Sequence, residues 1–219
     1  LLSVRHAFAL RLKPWVRHPT VPSRQVKGGV WSATSPREIR FIITDGWAYG
    51  ETAMKPIDLD ATHILAADHR TVEGLFEDFE KASTSDRKAK LAQQICTELK
   101  IHAQVEEEVF YPALKGKIDD DLLKEAWVEH DGAKVLINDI EASGPDDDFF
   151  EAKVTVLSEE IKHHVKEEEK QQDNMFQQAR AADVDLEELG KAMMSRKEEL
   201  KAQAEAGGLP PAQLATMRI

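Results

Sequence analysis

The chain has 219 residues, 42% of them hydrophobic, and a net charge of -11, which is enough apolar material for one sizeable core at roughly 100–200 residues per domain. Residues 1–53 hold eight Lys/Arg against three Asp/Glu, leaving 21 against 37 and a net charge of -16 in residues 54–219; that acidic body repels phosphates, which proteins bind through Lys and Arg, and argues against a nucleic-acid partner. The single cysteine, Cys96, rules out an intrachain disulfide and favours a reducing, cytoplasmic setting, and no apolar run approaches the ~18 residues that would suggest a membrane span.

Residues 1–53 read as a leader separate from the fold. Seven basic residues precede the first acidic one, Glu38, and Pro14, Pro19, Pro22 and Pro36 interrupt any period. An Arg-rich, acid-poor start fits a targeting peptide. The preferred reading is a disordered, non-native extension carried along by a misplaced gene start, with Met54 the natural beginning.

From Pro56 onward the apolar residues recur at steps of three and four with no alternating strand-like run, so the expected fold class is all-α. The first helix is predicted over about 58–81, capped by Asp58 or Asp60 and closed by the polar stretch KASTSD. A second spans about 86–111 and should stop near Tyr111, because the residue before Pro112 is pushed out of the helical region. The third starts at aspartates 119–121 and ends at SGPDDD, residues 143–148; the fourth spans about 147–181. Short connections make consecutive helices antiparallel neighbours, which predicts an up-down-up-down four-helix bundle over 54–181. An additional C-terminal helix, about 185–205, carries the stripe Leu186, Leu189, Met193 and Leu200 across the bundle, and the last residues of the 182–219 segment should be frayed.

The buried face of each predicted helix contains polar intruders. The first stripe is Ala61, Leu65, His69, Val72, Phe76 and Phe79; the second is Leu91, Ile95, Leu99, His102, Glu106 and Val109. The third is Leu123, Ala126 or Trp127, His130, Ala133 and Ile137, and the fourth is Phe150, Val154, Leu157, Ile161, His164, Glu168 and Met175. Burying an unpaired carboxylate costs several kcal/mol, and no Lys or Arg falls squarely on these stripes to neutralise it. A metal is the economical solution. His-x-x-x-Glu occurs at 102/106 and at 164/168, a spacing that puts both side chains on one face, one turn apart. Imidazole with carboxylate suits iron, manganese or zinc, and six ligands exceed the four of a structural zinc site, so two ions fit better than one. His63 and His163 fall off the stripes and read as surface residues. A ferritin-like carboxylate bundle needs two Glu-x-x-His pairs; the single pair here, Glu160 with His163, lies off the apolar stripe.

The order His69, then His102-x-x-x-Glu106, then His130, then His164-x-x-x-Glu168, with IHAQVEEEVFYP and HHVKEEE around the paired motifs, resembles the hemerythrin-like, or HHE cation-binding, family over roughly residues 57–180. The resemblance implies a non-haem di-iron centre, two iron ions inside an antiparallel bundle, with His69, His102, His130 and His164 as terminal ligands and Glu106 and Glu168 as bridges. It also implies an open position for O2 or a related small ligand. The chain departs from the oxygen-carrier pattern at Lys134, where carriers have a second histidine, and in its last acidic ligand, with Glu168 four residues after His164 and Glu169 five.

Fewer protein ligands leave more room for water or substrate, the arrangement metal catalysis uses. That openness counts towards an enzyme, but the simpler expectation is binding or sensing of O2, NO, peroxide or iron itself. The alternative is a di-iron enzyme that detoxifies peroxide or nitric oxide, and a metal-free interaction scaffold is the third reading. A sensor would need a separate protein partner, which the C-terminal helix could contact.

Overall fold

The computed structural model describes residues 60–218. The expected leader and the Met54 start lie outside the described residues. Among the described residues every regular element is helical: α1 Ala61–Lys81, α2 Ser85–Val105, a π-helical turn Glu106–Phe110, α3 Tyr111–Leu114, α4 Asp120–Ser143, α5 Phe150–Val165, a second π-helical turn Lys166–Lys170, α6 Met175–Ala181 and α7 Leu186–Gly207.

The starts follow from side chains that satisfy orphan N–H groups. Asp60 accepts from the His63 N–H at 3.0 Å, Asp119 from Asp121 at 2.9 Å and Asp185 from Glu188 at 3.0 Å. α4 ends at Gly144, whose φ of 71° a side chain would strain.

α1 packs on α2, α2 on α4, α4 on α5 and α5 back on α1, closing a ring of four helices. Two apolar clusters fill it. One contains Val72, Phe76, Ile95, Leu99, Ile137 and Leu157; the other contains Leu65, Ile101, Phe110, Leu114, Phe176 and Met193. The polar intruders lie at the seam between them. His69 falls between Leu65 of one cluster and Val72 of the other, His102 between Leu99 and Val105, and His130 between Ala126 and Ala133.

The chain differs from the sequence expectation in three places. The second helix does not stop before Pro112. Tyr111 stays helical at φ -61° and ψ -41°, and α3 continues to Leu114, because the π-turn widens the spiral and Tyr111 N–H reaches back five residues to the Glu106 carbonyl. The fourth helix is not continuous to 181. It starts at Phe150 and breaks after Lys170, where Asn174 caps α6 by accepting from the Gln177 N–H at 2.9 Å, an alternative partner that competes with helix continuation. Residues 209–217, expected to be frayed, are tied to the bundle. Lys100 donates to the Leu209 carbonyl at 3.2 Å, Asn138 to the Ala212 carbonyl at 2.9 Å, and Asp131 accepts from Ala215, Thr216 and Met217.

α7 packs against α1, α2 and the first π-turn, with Met193 and Leu200 fully buried. Leu200→Ala should lower the unfolding free energy by about 2–5 kcal/mol, the range for a large-to-small core change, in urea denaturation of the full chain. A loss under 0.5 kcal/mol would show that α7 does not belong to the cooperative fold.

Candidate metal centre

The seam brings six donor side chains from four segments to one place. His69 comes from α1, His102 and Glu106 from α2 and its π-turn, His130 from α4, and His164 and Glu168 from α5 and its π-turn. All six are buried, Glu106 completely. The Nε2 atoms of His69 and His102 lie 3.2 Å apart, and those of His130 and His164 lie 3.3 Å apart. Glu106 Oε2 is 3.0 Å from His102 Nε2 and 3.2 Å from His130 Nε2; Glu168 Oε2 is 3.4 Å from His69 Nε2 and 3.6 Å from His164 Nε2. Each glutamate thus faces one imidazole of either pair. The donors fall into two groups, His69 with His102, Glu106 and Glu168, and Glu106 with His130 and His164, with the donor atoms of each group within 4.8 Å of one another.

The residues fit a cation. Both carboxylate oxygens of Glu106 and Oε2 of Glu168 are buried without a well-aligned hydrogen bond, although imidazole nitrogens lie close by. Such lone pairs are costly in a dry interior. Metal-free, the cluster holds protons instead. Burial alone would depress His102, but the Glu106 charge and the Asp68 carboxylate raise it to about 10; the same opposition, with Glu106 and Glu107, raises His130 to about 9. Burial would raise Glu106, and the facing His102 and His130 hold it well below the ordinary carboxylate range. Imidazole nitrogen and carboxylate oxygen together suit iron, manganese or zinc.

Outside the donors runs a second ring of carboxylates, each supplied by the preceding segment of the bundle. Asp68 on α1 faces His102 Nδ1 at 3.7 Å, Glu107 faces His130 Nδ1 at 2.9 Å, Glu129 on α4 faces His164 Nδ1 at 2.8 Å, and Glu169 faces His69 Nδ1 at 3.6 Å. This closed circle uses an acidic residue just before His69 and His130 and just after Glu106 and Glu168, so the motif occurs twice along the chain. Glu107 and Glu129 are within hydrogen-bond reach of their imidazoles and so leave the Nε2 of His130 and His164 free to bind metal, whereas Asp68 and Glu169 stand beyond it and His102 Nδ1 and His69 Nδ1 have no hydrogen-bond partner. Glu169 turns outward to Arg70, leaving Glu168, four residues after His164, as the inward group.

A family model described as Hemerythrin HHE cation binding domain matches residues 60–172, more than half of the chain. The chain belongs to the hemerythrin HHE cation-binding family. A crystal structure of a hemerythrin HHE cation binding domain-containing protein, an Rv2633c homologue from Mycobacterium kansasii, shares its fold at a TM-score of 0.58 and 24% identity, over 67% of this chain and 90% of that one. A protein named DNA nickase from Nostoc sp. (strain PCC 7120) is 26% identical over 141 residues, 64% of this chain; the chain spans only 40% of that relative's length.

Two features of this hemerythrin-like chain were not legible in the stripes. The first is Tyr111, fully buried, whose hydroxyl donates to Glu168 Oε1 at 3.0 Å and lies 3.2 Å from His130 Nε2, with Trp127 tilted against its ring at 5.8 Å. In an unbroken α-helix Tyr111 would sit about half a turn away from the His102 face; the extra residue of the π-turn swings it inward by about 100°. Such turns are frequent at functional sites. Tyr111→Phe should cost about 1–3 kcal/mol in the metal-free protein, the usual effect of stranding a buried acceptor, as measured by thermal or urea denaturation. No change would mean that Glu168 Oε1 finds its partner elsewhere.

The second is Lys134. The expectation that no cation shares the buried stripes fails there and at Lys100, 4% and 7% exposed. Lys134 pairs with Glu107 at 2.6 Å and Asp131 at 3.3 Å, while Lys100 pairs with Glu141 at 2.9 Å. Neither pairs with Glu106 or Glu168, so neither neutralises the inner carboxylates. His63 and His163 are exposed. Cys96 is buried and its thiol is pushed up to about 12 by burial, which leaves it a small core hydrophobe.

Proposed function

We propose that this hemerythrin-like chain is a cytoplasmic, up-down-up-down four-helix protein that holds two iron ions and binds a small ligand such as O2, NO or peroxide in a binding or sensing role. The observation that supports it best is Glu106, buried, without well-aligned hydrogen bonds, and common to both donor groups. Glu106 and Glu168 would be shared between the ions, and His69 with His102 and His130 with His164 would complete the two ends. Iron held there supplies an exchangeable coordination position and electrons for a small ligand.

The protein's own residues limit what reaches that position. A cavity of about 20 Å³ touches all four imidazoles and is otherwise walled by Val72, Leu99, Ala103, Ala133, Ile137 and Ile161, with Asp68 and Lys134 also on its lining. That volume takes about one water-sized molecule, and its mainly apolar lining favours O2 or NO over charged or extended substrates. Glu107 and Glu129 orient the imidazoles of His130 and His164. The Tyr111 hydroxyl holds Glu168 Oε1 and keeps its proton, since burial and the nearby Glu106 and Glu168 charges raise it well above the usual phenol range.

The departure at Lys134, where the carrier pattern has a further histidine, favours the alternative, an enzyme that consumes peroxide or nitric oxide, because fewer protein ligands leave more room for a substrate. DNA nicking is not carried over from the Nostoc relative: a net charge of -16 over residues 54–219 opposes phosphate binding.

The test is metal analysis of protein purified under iron-replete conditions, followed by exposure of the reduced protein to O2, peroxide and NO under a spectrometer. About two iron ions per chain and a long-lived, reversible change with O2 or NO are expected. Rapid loss of peroxide over many turnovers would replace binding with catalysis. A colourless, metal-free and stable protein would remove both readings.

A further inference from the structure

Beyond the residues matched by the family model, the C-terminal tail is tied to α4 at one buried carboxylate. Asp131, wholly buried, accepts from the N–H groups of Ala215 at 2.8 Å, Thr216 at 2.6 Å and Met217 at 2.8 Å, and from the Thr216 hydroxyl at 2.7 Å. Burial would raise its pKa, but these donors hold it well below the ordinary carboxylate range. One turn along α4, Lys134 Nζ lies 3.3 Å from Asp131 Oδ1 and 2.6 Å from Glu107 Oε1. The same Glu107 oxygen is 2.9 Å from His130 Nδ1, and His130 Nε2 faces Glu106. A continuous polar path therefore runs from the tail backbone through Asp131, Lys134 and Glu107 to a donor of the candidate metal centre.

We infer that Lys134 is a positioning residue for His130, held in place by the docked tail, so that tail docking and metal binding stabilise each other. The inference rests on the metal-centre reading above. Its direction follows from charge balance. With the tail docked, four donors satisfy Asp131, and Lys134 is left to hold Glu107 at the shorter distance. With the tail released, Asp131 is a carboxylate in α4 whose one remaining partner among the described residues is Lys134. The ammonium then shifts toward Asp131, Glu107 loses its counter-charge, and the hydrogen bond that orients His130 slackens. Outer partners of this kind are worth about 10–100-fold in metal affinity. Coupling between two binding events is reciprocal, so whatever factor the docked tail adds to metal affinity, bound metal adds to tail docking.

The experiment uses the full chain and, without air, Co²⁺, an ion whose visible spectrum reports its ligand geometry. Wild type, Lys134→Arg, Lys134→Met, Asp131→Ala and the exposed control Lys124→Met are titrated with Co²⁺ against a competing chelator. Backbone amide exchange at residues 215–217 is followed with and without the ion. Lys134→Met should weaken one of two Co²⁺ equivalents by about 10–100-fold and alter its visible bands, Lys134→Arg should restore most of the affinity, and Lys124→Met should match wild type. Co²⁺ should slow exchange at Ala215, Thr216 and Met217 in wild type but not in Asp131→Ala. Unchanged affinity in Lys134→Met, or tail exchange indifferent to Co²⁺, would overturn the inference while leaving the metal centre intact. If the substitutions prevent folding, wild type decides: slowing by Co²⁺ at residues 215–217 beyond that of the core amides supports the inference, and slowing no greater than theirs overturns it. Failure of wild type to bind Co²⁺ would instead defeat the metal-centre reading, and this inference with it.

Discussion

Glu106→Gln should remove most of the bound metal from both positions at once, taking iron from about two ions per chain to less than one. The substitution keeps volume and shape, so the packing around Phe110 and Tyr111 survives, but it removes the charge that faces His102 at 3.0 Å and His130 at 3.2 Å. Glu106 is the one residue present in both donor groups, whereas Glu168 belongs to one of them. Glu168 Oε2 lies 3.4 Å from His69 Nε2 and 3.6 Å from His164 Nε2, so Glu168→Gln should also deplete both positions. The loss is also readable as stability. A ligand at a thousand times its Kd stabilises the fold by about 4 kcal/mol, and about 2–4 °C of Tm accompanies each kcal/mol in a chain of this size. The metal-dependent rise in Tm, about 10 °C on that scale, should vanish in Glu106→Gln and persist in His163→Ala, whose imidazole is exposed. Equal iron in Glu106→Gln, His163→Ala and wild type would refute the proposed ligand set.

Metal affinity should fall steeply with acidification, starting well above the ordinary histidine range. In the metal-free protein His102 is raised to about 10 and His130 to about 9, against about 6.5 for an unperturbed imidazole. Raised values mean that the folded chain binds these protons more tightly than the unfolded chain. Their contribution to metal-free stability is thus complete below about pH 6.5 and is lost as pH rises through 9 and 10. Metal follows the opposite course, since an imidazole must give up its proton to ligate. Below those pKa values apparent affinity drops about tenfold per pH unit for each proton displaced. With two such protons, moving from pH 8.5 to 6.5 should weaken binding by about four orders of magnitude, and the Tm gap between loaded and metal-free protein should widen with pH over the same interval. Loading in weak buffer at pH 8 should release about two protons per chain. A flat affinity profile with no proton release would mean that the imidazoles are already neutral and that the inner carboxylates do not act on them.

The sequence by itself determined the helices, the apolar stripes and the six inward polar residues, because each of these is a property of one helix. A period of 3.6 residues places His69 between Leu65 and Val72, or His164 beyond Ile161, on the same face, and the burial of the neighbours reports the burial of the intruder. The same logic put His63 and His163 outside, where they are found. The tertiary structure decided everything that depends on two segments meeting. The pairing of Asp68 with His102, Glu107 with His130, Glu129 with His164 and Glu169 with His69 joins residues on different helices, so the repeated acidic neighbours along the chain mark the candidates but not which histidine each one meets. Lys134 sits on a buried stripe because Glu107 and Asp131 are there to receive its charge, and Asp131 is buried because the tail brings four donors to it. Tyr111 reaches the centre through a π-turn, one residue of extra winding that shifts the phase of all that follows. Helical periodicity reports which side chains point inward; only the packed chain shows which of them meet.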